Sequence, residues 1–322
     1  MSKLCRLLVL ALLSVAALPA LGQPYPSKPI KFVSPYPPGG PTDILARLIG
    51  AKLQASLGQP VIVENRAGAG GNVGTDYVAK QPGDGYTLLL TASGPVAINV
   101  SLYKSLPYDP ATDLVPVVHV ASVPLMLVVH PSLKVNTVKE LIALVKAKPD
   151  GYTYASAGNG TPQHLSMELF KSMTGTQILH VPYKGTGPAI NDLLGGQVPM
   201  AFESMLAVLP QVKGGKLHAL AVTTAKRSAV APDVPTVSEA GVKGYESIAW
   251  YGVLAPKGTP KDIIAKLNAE MVKILDMPDV HARLQDLGTE KVHGSPEQFG
   301  AFIRSETAKW GKVVRASGAT VD

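Results

Sequence analysis

The sequence predicts an α/β fold in which mostly parallel sheets are flanked by helices on both faces. Short apolar segments, typical of buried strands, alternate with amphipathic helical segments along almost the whole chain. Several strand-to-helix junctions contain proline and glycine. The 322 residues exceed the size that a single hydrophobic core usually reaches, so we expect two domains.

The predicted elements follow in chain order. Strands are predicted at residues 30–34, 60–65, 86–92, 115–133 (two consecutive strands), 152–156 and 177–183, and at VPMAFES, LHALAVTT and AWYGVLAP. Helices are predicted at ILARLIGAKLQASLG, from about Gly74, at VKELIALVKAKP, over the segment containing Leu165 to Met173, at AINDLLGG, just after VPMAFES, and from Pro260 to about Leu275.

The N-terminus has the three-part pattern of a secretory signal peptide. Lys3 and Arg6 precede an apolar stretch, residues 7–18, and small residues follow it. We therefore expect residues 1–22 to be removed on export, a membrane anchor being the less favoured alternative because the apolar stretch is short. The single cysteine, Cys5, lies in this segment, so the exported chain would have no disulfide, which suits a periplasmic protein with a large core.

Charge and motif content argue against several classes of function. The formal net charge of +7 falls by two when Lys3 and Arg6 leave, and the remaining basic residues are scattered, so no nucleic-acid partner is expected. The chain contains neither GxSxG nor HExxH, and its seven histidines have no metal-ligand spacing. No catalytic residue, metal site or cofactor is predicted. GAGGNVG (68–74) lacks the dinucleotide-binding spacing and is better explained as a tight turn with close backbone packing.

A proline recurs where the first residue of a helix is expected. The four prolines, each with the Gly or Thr predicted as its N-cap, are Pro41 (Gly40), Pro162 (Thr161), Pro188 (Gly187) and Pro260 (Thr259). Taken singly, each can be an ordinary helix start, and KGTP is expected to be only that. PYPPGGP, SAGNGTP and YKGTGP also follow a strand through a glycine loop. Free N–H groups at helix N-termini attract anions, and ligands bind beyond the carboxyl ends of such strands. These three loops therefore predict an anion site.

Three other polar residues fall near the expected cleft. Asp43 is the third helical residue after Gly40, where capping of the helix is favoured over ligand contact. Glu203 follows a strand and could hold the ammonium or hydroxyl group of a ligand, or it could face solvent. His164, in the first turn of a helix, is expected to have a structural partner rather than a ligand.

Four segments carry a resemblance to a known family. YPSKPIKFVSPYPPGGPTDILAR, VIVENRAGAGGNVGTDYVAKQPGDGYTLLL, YASAGNGTPQHLSMELF and VPYKGTGPAINDLLGGQVPMAF resemble the Bug-type receptors of tripartite tricarboxylate transporters, and the similarity covers essentially the whole chain after the signal. The resemblance implies a periplasmic solute-binding protein with a two-domain, type II-like periplasmic-binding-protein fold and a ligand cleft between the domains. It also implies capture of small carboxylates by backbone amides and bridging waters.

The resemblance further implies which residues bind the ligand and where the domains divide. The implied contacts are Tyr36, Gly39, Gly40, Thr42, Asp43 and Ser93 in the first domain, and Ser156, Ala157, Gly158, Thr161, Tyr183, Lys184, Gly185 and Thr186 in the second. Glu203 and Ser93 are the expected specificity residues. Residues 23–120 with 228–322 would form the first domain and residues 121–227 the second.

The function expected from this resemblance is capture of a carboxylate by hinge closure and its delivery to membrane permease subunits. The ligand class stays open between di- or tricarboxylates, aromatic acids and amino acids, and the protein is expected to be a monomer. A sensor that presents the carboxylate to a membrane kinase would use the same pocket. An exported hydrolase is a minor alternative, with Ser156 and either His180 or His164 as nucleophile and base. Trp250 and Tyr251 would either line the cleft edge or pack in the core.

Overall fold

The computed structural model describes residues 24–286 and 288–321, so the predicted signal peptide, residues 1–22, lies outside the described residues. The described strands are β1 (Ile30–Ser34), β2 (Val61–Asn65), β3 (Thr87–Ala92), β4 (Leu114–Val129), β5 (Thr153–Ser156), β6 (Leu179–Pro182), β7 (Met200–Ser204), β8 (His218–Val222), β9 (Ile248–Pro256) and β10 (Glu290–Lys291).

The described helices are α1 (Pro41–Leu57), α2 (Asn72–Ala79), α3 (Asn99–Leu102), α4 (Val138–Ala147), α5 (Pro162–Thr174), α6 (Thr186–Leu194), α7 (Met205–Lys213), α8 (Lys261–Asp276), α9 (Pro278–Asp286) and α10 (Pro296–Ser317). Short 3-10 turns occur at Ala69–Gly71 and Pro131–Leu133, and a π turn at Gly94–Ile98. Within the described ranges, no helix is both long enough and apolar enough to cross a membrane.

The strands form one mixed sheet in the order β2-β1-β3-β9-β4-β7-β5-β6, with β8 and β10 also paired to β4. β1 pairs in parallel with β2 and β3, and β5 pairs in parallel with β6 and β7. All pairings of β4 and β9 are antiparallel. The expectation of mostly parallel sheets is therefore wrong for the centre of the sheet. There β9 lies between β3 and β4 and runs antiparallel to both.

The long strand β4 connects two lobes. The first lobe is built on β1, β2, β3 and β9, and the second on β5 to β8. Residues 115–133, predicted as two consecutive strands, instead contain one 16-residue strand and a 3-10 turn. Residues 114–124 of β4 pair with β9, whereas residues 125–129 pair with β7 and β8. Residues 117–129 are all buried, so this strand belongs to the cores of both lobes.

Helix starts follow the proline pattern in only two of the four predicted cases. Pro41 and Pro162 are the first residues of α1 and α5, as expected. Helix α6 begins at Thr186, so Pro188 is its third residue, because the backbone already turns at Gly185 (φ 121°). Pro260 is itself the N-cap of α8, which begins one residue later.

Helices α9 and α10 near the C-terminus were not predicted from the sequence. Helix α10 carries a signal that was available, since Ser295 and Gln298 form a capping box at its start. Its residue Glu306 accepts hydrogen bonds from the indole nitrogens of Trp250 (3.2 Å) and Trp310 (2.9 Å). Both indoles are fully buried, which resolves one open alternative: Trp250 packs in the core and does not line the cleft.

Candidate functional site

Three strand-to-helix loops meet in the cleft between the lobes. They follow β1, β5 and β6 and lead into α1, α5 and α6, which places them at the carboxyl ends of parallel strands. Between them lies a narrow cavity, here called the inner cavity. Its lining consists of Tyr36, Pro37, Gly40, Pro41, Thr42, Ala92, Ala157, Thr161, Pro162, Gln163, Thr186 and Tyr251.

The N-termini of three helices point at this cavity. Pro41, Pro162 and Thr186 are the first residues of α1, α5 and α6, and all three line it. The N-caps of α1 and α6 are Gly40 and Gly185, which have no side chain to cap the free N–H groups. No lysine, arginine or histidine is among the described residues of the lining. The inner cavity can therefore attract an anion through backbone N–H groups and helix dipoles alone.

A second, larger cavity, here called the outer cavity, shares Tyr36, Pro37 and Ala157 with the inner one. One wall is the glycine turn 67–71, which the sequence analysis treated as a structural turn and not as part of the site. Its close packing is confirmed, since Tyr36 Oη donates a hydrogen bond to Gly70 O (3.0 Å). The remaining lining residues are Tyr103, Gly158, Asn159, Pro182, Tyr183 and Lys184.

The two lobes approach each other closely across the cleft. Several of these close approaches are at glycines. A Cβ placed on Gly40 would lie 3.9 Å from Thr186 Cβ, and one placed on Gly185 would lie 2.8 Å from Pro37 Cδ. A Cβ on Gly70 would overlap the carbonyl oxygen of Asn159. Glycine at these positions lets the backbones of the two lobes approach more closely than any side chain would permit.

Nine of the fifteen residues predicted to bind ligand line the two cavities. They are Tyr36, Gly40, Thr42, Ala157, Gly158, Thr161, Tyr183, Lys184 and Thr186. Six lie outside both linings: Gly39, Asp43, Ser93, Ser156, Gly185 and Glu203. The lining residues that sequence reasoning missed include Pro37 and Gln163, of which Gln163 stood two residues after the predicted contact Thr161.

Asp43 has the capping role that the sequence favoured. Its Oδ2 accepts hydrogen bonds from Gly39 N (3.0 Å) and Arg47 Nε (3.0 Å), and its Oδ1 accepts one from Asn65 Nδ2 (3.0 Å). Burial alone would raise the pKa of this carboxyl, but the hydrogen bonds from Arg47, Gly39 and Asn65 outweigh it and lower the pKa. The capped N–H is that of Gly39 and not that of Gly40, and the interaction holds the proline-glycine loop against α1.

Ser156 and two histidines hold the loop that follows β5. Ser156 Oγ lies 2.6 Å from His180 Nε2 and accepts a hydrogen bond from Gly158 N (3.1 Å). The His180 ring stacks on His164 with centroids 4.1 Å apart, and Gly160 N donates to His164 Nδ1 (3.2 Å). Burial lowers the pKa of His164 to about 4 and that of His180 to about 3, so both rings are neutral. The structural partner expected for His164 is confirmed, and the Ser–His pair serves to shape the loop.

Glu203 is completely buried at the end of β7, so the alternative in which it faces solvent is wrong. Its Oε2 accepts hydrogen bonds from Ser204 N (3.0 Å) and Gln163 Nε2 (3.3 Å). Its Oε1 has no hydrogen-bond partner among the described residues. Burial raises the pKa of Glu203 to about 7, although both hydrogen bonds act in the opposite direction. Ser93, which follows β3, is similar, because it is fully buried and its hydroxyl has no hydrogen-bond partner among the described residues.

We expect Glu203→Gln to stabilise the unliganded protein more at pH 8 than at pH 5. Between the ordinary pKa of 4.5 and about 7, folded Glu203 binds more protons than unfolded Glu203, so the wild-type free energy of unfolding falls as pH rises through this range. The variant avoids this loss, which amounts to about 3 kcal/mol. Denaturant unfolding of both proteins at the two pH values measures it. The histidines titrate in both proteins and cancel in the difference. An equal difference at pH 5 and pH 8 would contradict this account.

Comparison with known proteins agrees with this geometry. Residues 45–319 match the family model described as tripartite tricarboxylate transporter family receptor. Protein BugT of Bordetella pertussis is 45% identical over 304 residues, which cover 94% of this chain and 93% of BugT.

Two solved structures are also similar over most of the chain. Rpa4515 from R. palustris, determined with adipate, is 41% identical to this chain, with a TM-score of 0.90. The match covers 92% of this chain and 100% of the Rpa4515 chain. MatC (Rpa3494) from Rhodopseudomonas palustris, with bound malate, is 35% identical, with a TM-score of 0.87. The match covers 90% of this chain and 100% of the MatC chain. The chain therefore belongs to the tripartite tricarboxylate transporter receptor family, whose members are periplasmic solute-binding receptors and not enzymes.

Proposed function

We propose that this receptor captures a small carboxylate in the inner cavity, closes around it, and delivers it to permease subunits in the membrane. The observation that carries the proposal is the meeting of three helix N-termini, contributed by both lobes, at one cavity without a basic side chain in its lining. Charge-assisted hydrogen bonds from backbone N–H groups suit a carboxylate. A bidentate arginine would bind the ligand more rigidly, which suits a transport receptor less because it must release its ligand.

The relatives support a carboxylate as the ligand, because one similar structure holds adipate and another holds malate. We propose that the nine predicted residues that line the two cavities contact the ligand or its bridging waters. We propose that the other six, Gly39, Asp43, Ser93, Ser156, Gly185 and Glu203, act at or behind the same site.

The domain division predicted from sequence supplies a hinge for closure. We propose that residues 23–120 with 228–322 move against residues 121–227. The chain first passes from one domain to the other near Ala121, within β4. Shortly after this point the pairing partners of β4 change from β9 to β7 and β8. The chain passes back near Arg227, between β8 and β9. Two connections of this kind allow one lobe to rotate while both cores stay packed.

We also propose that residues 1–22 are a cleaved signal peptide and that the receptor is a monomer. Export to the periplasm follows the pattern of basic, apolar and small residues at the N-terminus. Delivery to a membrane permease requires the receptor to present its closed form to that partner.

A ligand screen tests the proposed function. The full chain, produced with export and stripped of bound ligand by partial unfolding and refolding, would be melted with dicarboxylates, tricarboxylates, aromatic acids and amino acids. A ligand present at 100 times its Kd adds about 2.7 kcal/mol, which raises the melting temperature by several degrees. We expect one class of carboxylate to produce this shift and matched uncharged amides to produce none. If no carboxylate shifts the melting temperature, the proposal is contradicted.

We expect Gly70→Ala to weaken carboxylate binding by about tenfold or more, because the added methyl group would overlap Asn159 O across the cleft and oppose closure. Gly258→Ala is the matched control, since Gly258 also has a positive φ (81°) but no atom within 4 Å of the added Cβ. It carries the same kind of backbone strain without obstructing the cleft. Isothermal titration measures both. Equal losses of affinity in the two variants would contradict the role of Gly70 in closure.

A further inference from the structure

Gln163 connects the inner cavity to a buried carboxylate. It is the second residue of α5 and lines the cavity. Its Nε2 lies 3.3 Å from Glu203 Oε2, at the end of β7, and 3.4 Å from Thr186 Oγ1, at the start of α6. Gln163 is 4% exposed and Glu203 is 0% exposed. The three side chains form a continuous polar network, here called the Glu203 network, that begins behind the cavity wall and reaches its lining.

The Glu203 network fixes which way the Gln163 amide faces. An ionised carboxylate only accepts hydrogen bonds, so Glu203 must receive the NH₂ group of Gln163 and not its carbonyl. The two N–H bonds of that group are directed at Glu203 and Thr186. The carbonyl oxygen Oε1 is then the part of the amide left for the ligand. The inner cavity thus presents an acceptor at Gln163, although the helix N-termini around it present donors.

A second observation is that the negative charge of Glu203 is not compensated within the network. Glu203 Oε1 is buried and has no hydrogen-bond partner among the described residues, and the influences that shift the pKa of Glu203 are burial, Ser204 N and Gln163, none of them a cation. A buried carboxylate without a compensating positive group is unfavourable. Tyr251, also in the lining, stays neutral because burial and then the charge of Glu203 raise its pKa. A positively polarised hydrogen on the ligand, held by Gln163 Oε1, would compensate part of this charge.

We propose that the Glu203 network makes the inner cavity prefer a carboxylate that also carries a hydrogen-bond donor, a hydroxyl or an ammonium group, over the same carboxylate without one. This inference rests on the proposed function and names the ligand class within it. Glu203 acts as a positioning residue through Gln163, which makes the contact. The anionic end of the ligand binds at the helix N-termini, and its donor group binds at Gln163.

Isothermal titration with matched acids tests the preference. Succinate, malate and aspartate share one skeleton and differ in a single group, as do glutarate, 2-hydroxyglutarate and glutamate. The full chain, produced with export, is titrated at pH 8, above the pKa of about 7 for Glu203. In the series that binds, we expect a donor-bearing acid to bind at least about tenfold more tightly than the donor-free acid, as for a hydrogen bond to a charged network. The hydroxy and amino acids show which donor is preferred.

Three variants assign this preference to the network. Glu203→Gln supplies an amide that can donate or accept, so Gln163 is no longer held in one orientation. We expect it to reduce the ratio of the two Kd values to below about threefold. Gln163→Met keeps the length of the side chain without the amide and should reduce the ratio in the same way. Glu306→Gln is the control, since that buried glutamate accepts from two indoles within α10 and β9. It should keep the wild-type ratio.

The possible outcomes separate the inference from the function. Equal wild-type affinity for donor-bearing and donor-free acids would overturn the inference and leave carboxylate capture standing. So would a ratio that survives in both Glu203→Gln and Gln163→Met. If Glu203→Gln does not fold, Gln163→Met decides alone. If neither these acids nor the panel of the melting screen bind, the proposed function itself is contradicted.

Discussion

The unpaired N–H groups at the start of a helix are the physical constraint around which the site is organised. Every helix begins with N–H groups that have no partner within the helix, and a side chain commonly caps them. Here α1 and α6 begin after glycine N-caps, and α5 begins after a threonine whose hydroxyl accepts from His164 N. These three starts face one cavity from opposite lobes. An anion bound there would supply the acceptors that the chain itself does not.

The rest of the cleft follows from the need to bring these helix starts together. Strand β4 runs without interruption through the cores of both lobes, so the lobes share one sheet. The glycines at the edges of the cleft, such as Gly70 and Gly185, then allow the loops of one lobe to approach the other lobe closely. Asp43 and the stacked His164 and His180 hold the loops from behind without lining the inner cavity. Binding groups and supporting groups are therefore separate sets of residues.

Local signals were sufficient to predict much of this arrangement. The strand-to-helix loops and the capping role of Asp43 depend on residues close together in sequence, and the structure confirms them at Pro41 and Pro162. The start of α6 was misplaced because nothing local distinguishes Gly187 from Gly185 as the N-cap. The direction of β4 and β9 could not be read from their apolar pattern, since that pattern is the same for either pairing.

The importance of Gln163 depends on long-range contacts that sequence patterns do not reveal. Its hydrogen bonds reach Thr186 and Glu203, which are 23 and 40 residues away. Tyr251 could not be assigned either, because alternate residues of β9 face different sides: Trp250 packs under α10, whereas Tyr251 lines the inner cavity. Such assignments require the sheet order and the helix positions together.

The central claim is that the lobes close on a carboxylate, and a distance between them tests it most directly. The single cysteine is Cys5, within the predicted signal peptide, so spin labels can be placed at two introduced cysteines. Val73 on α2 and Leu179 on β6 are exposed, at 52% and 50%, and belong to opposite lobes. Pulsed electron paramagnetic resonance should show a broad distance distribution without ligand and a single, shifted one with a bound carboxylate. Identical distributions with and without a carboxylate that binds would contradict closure on the ligand.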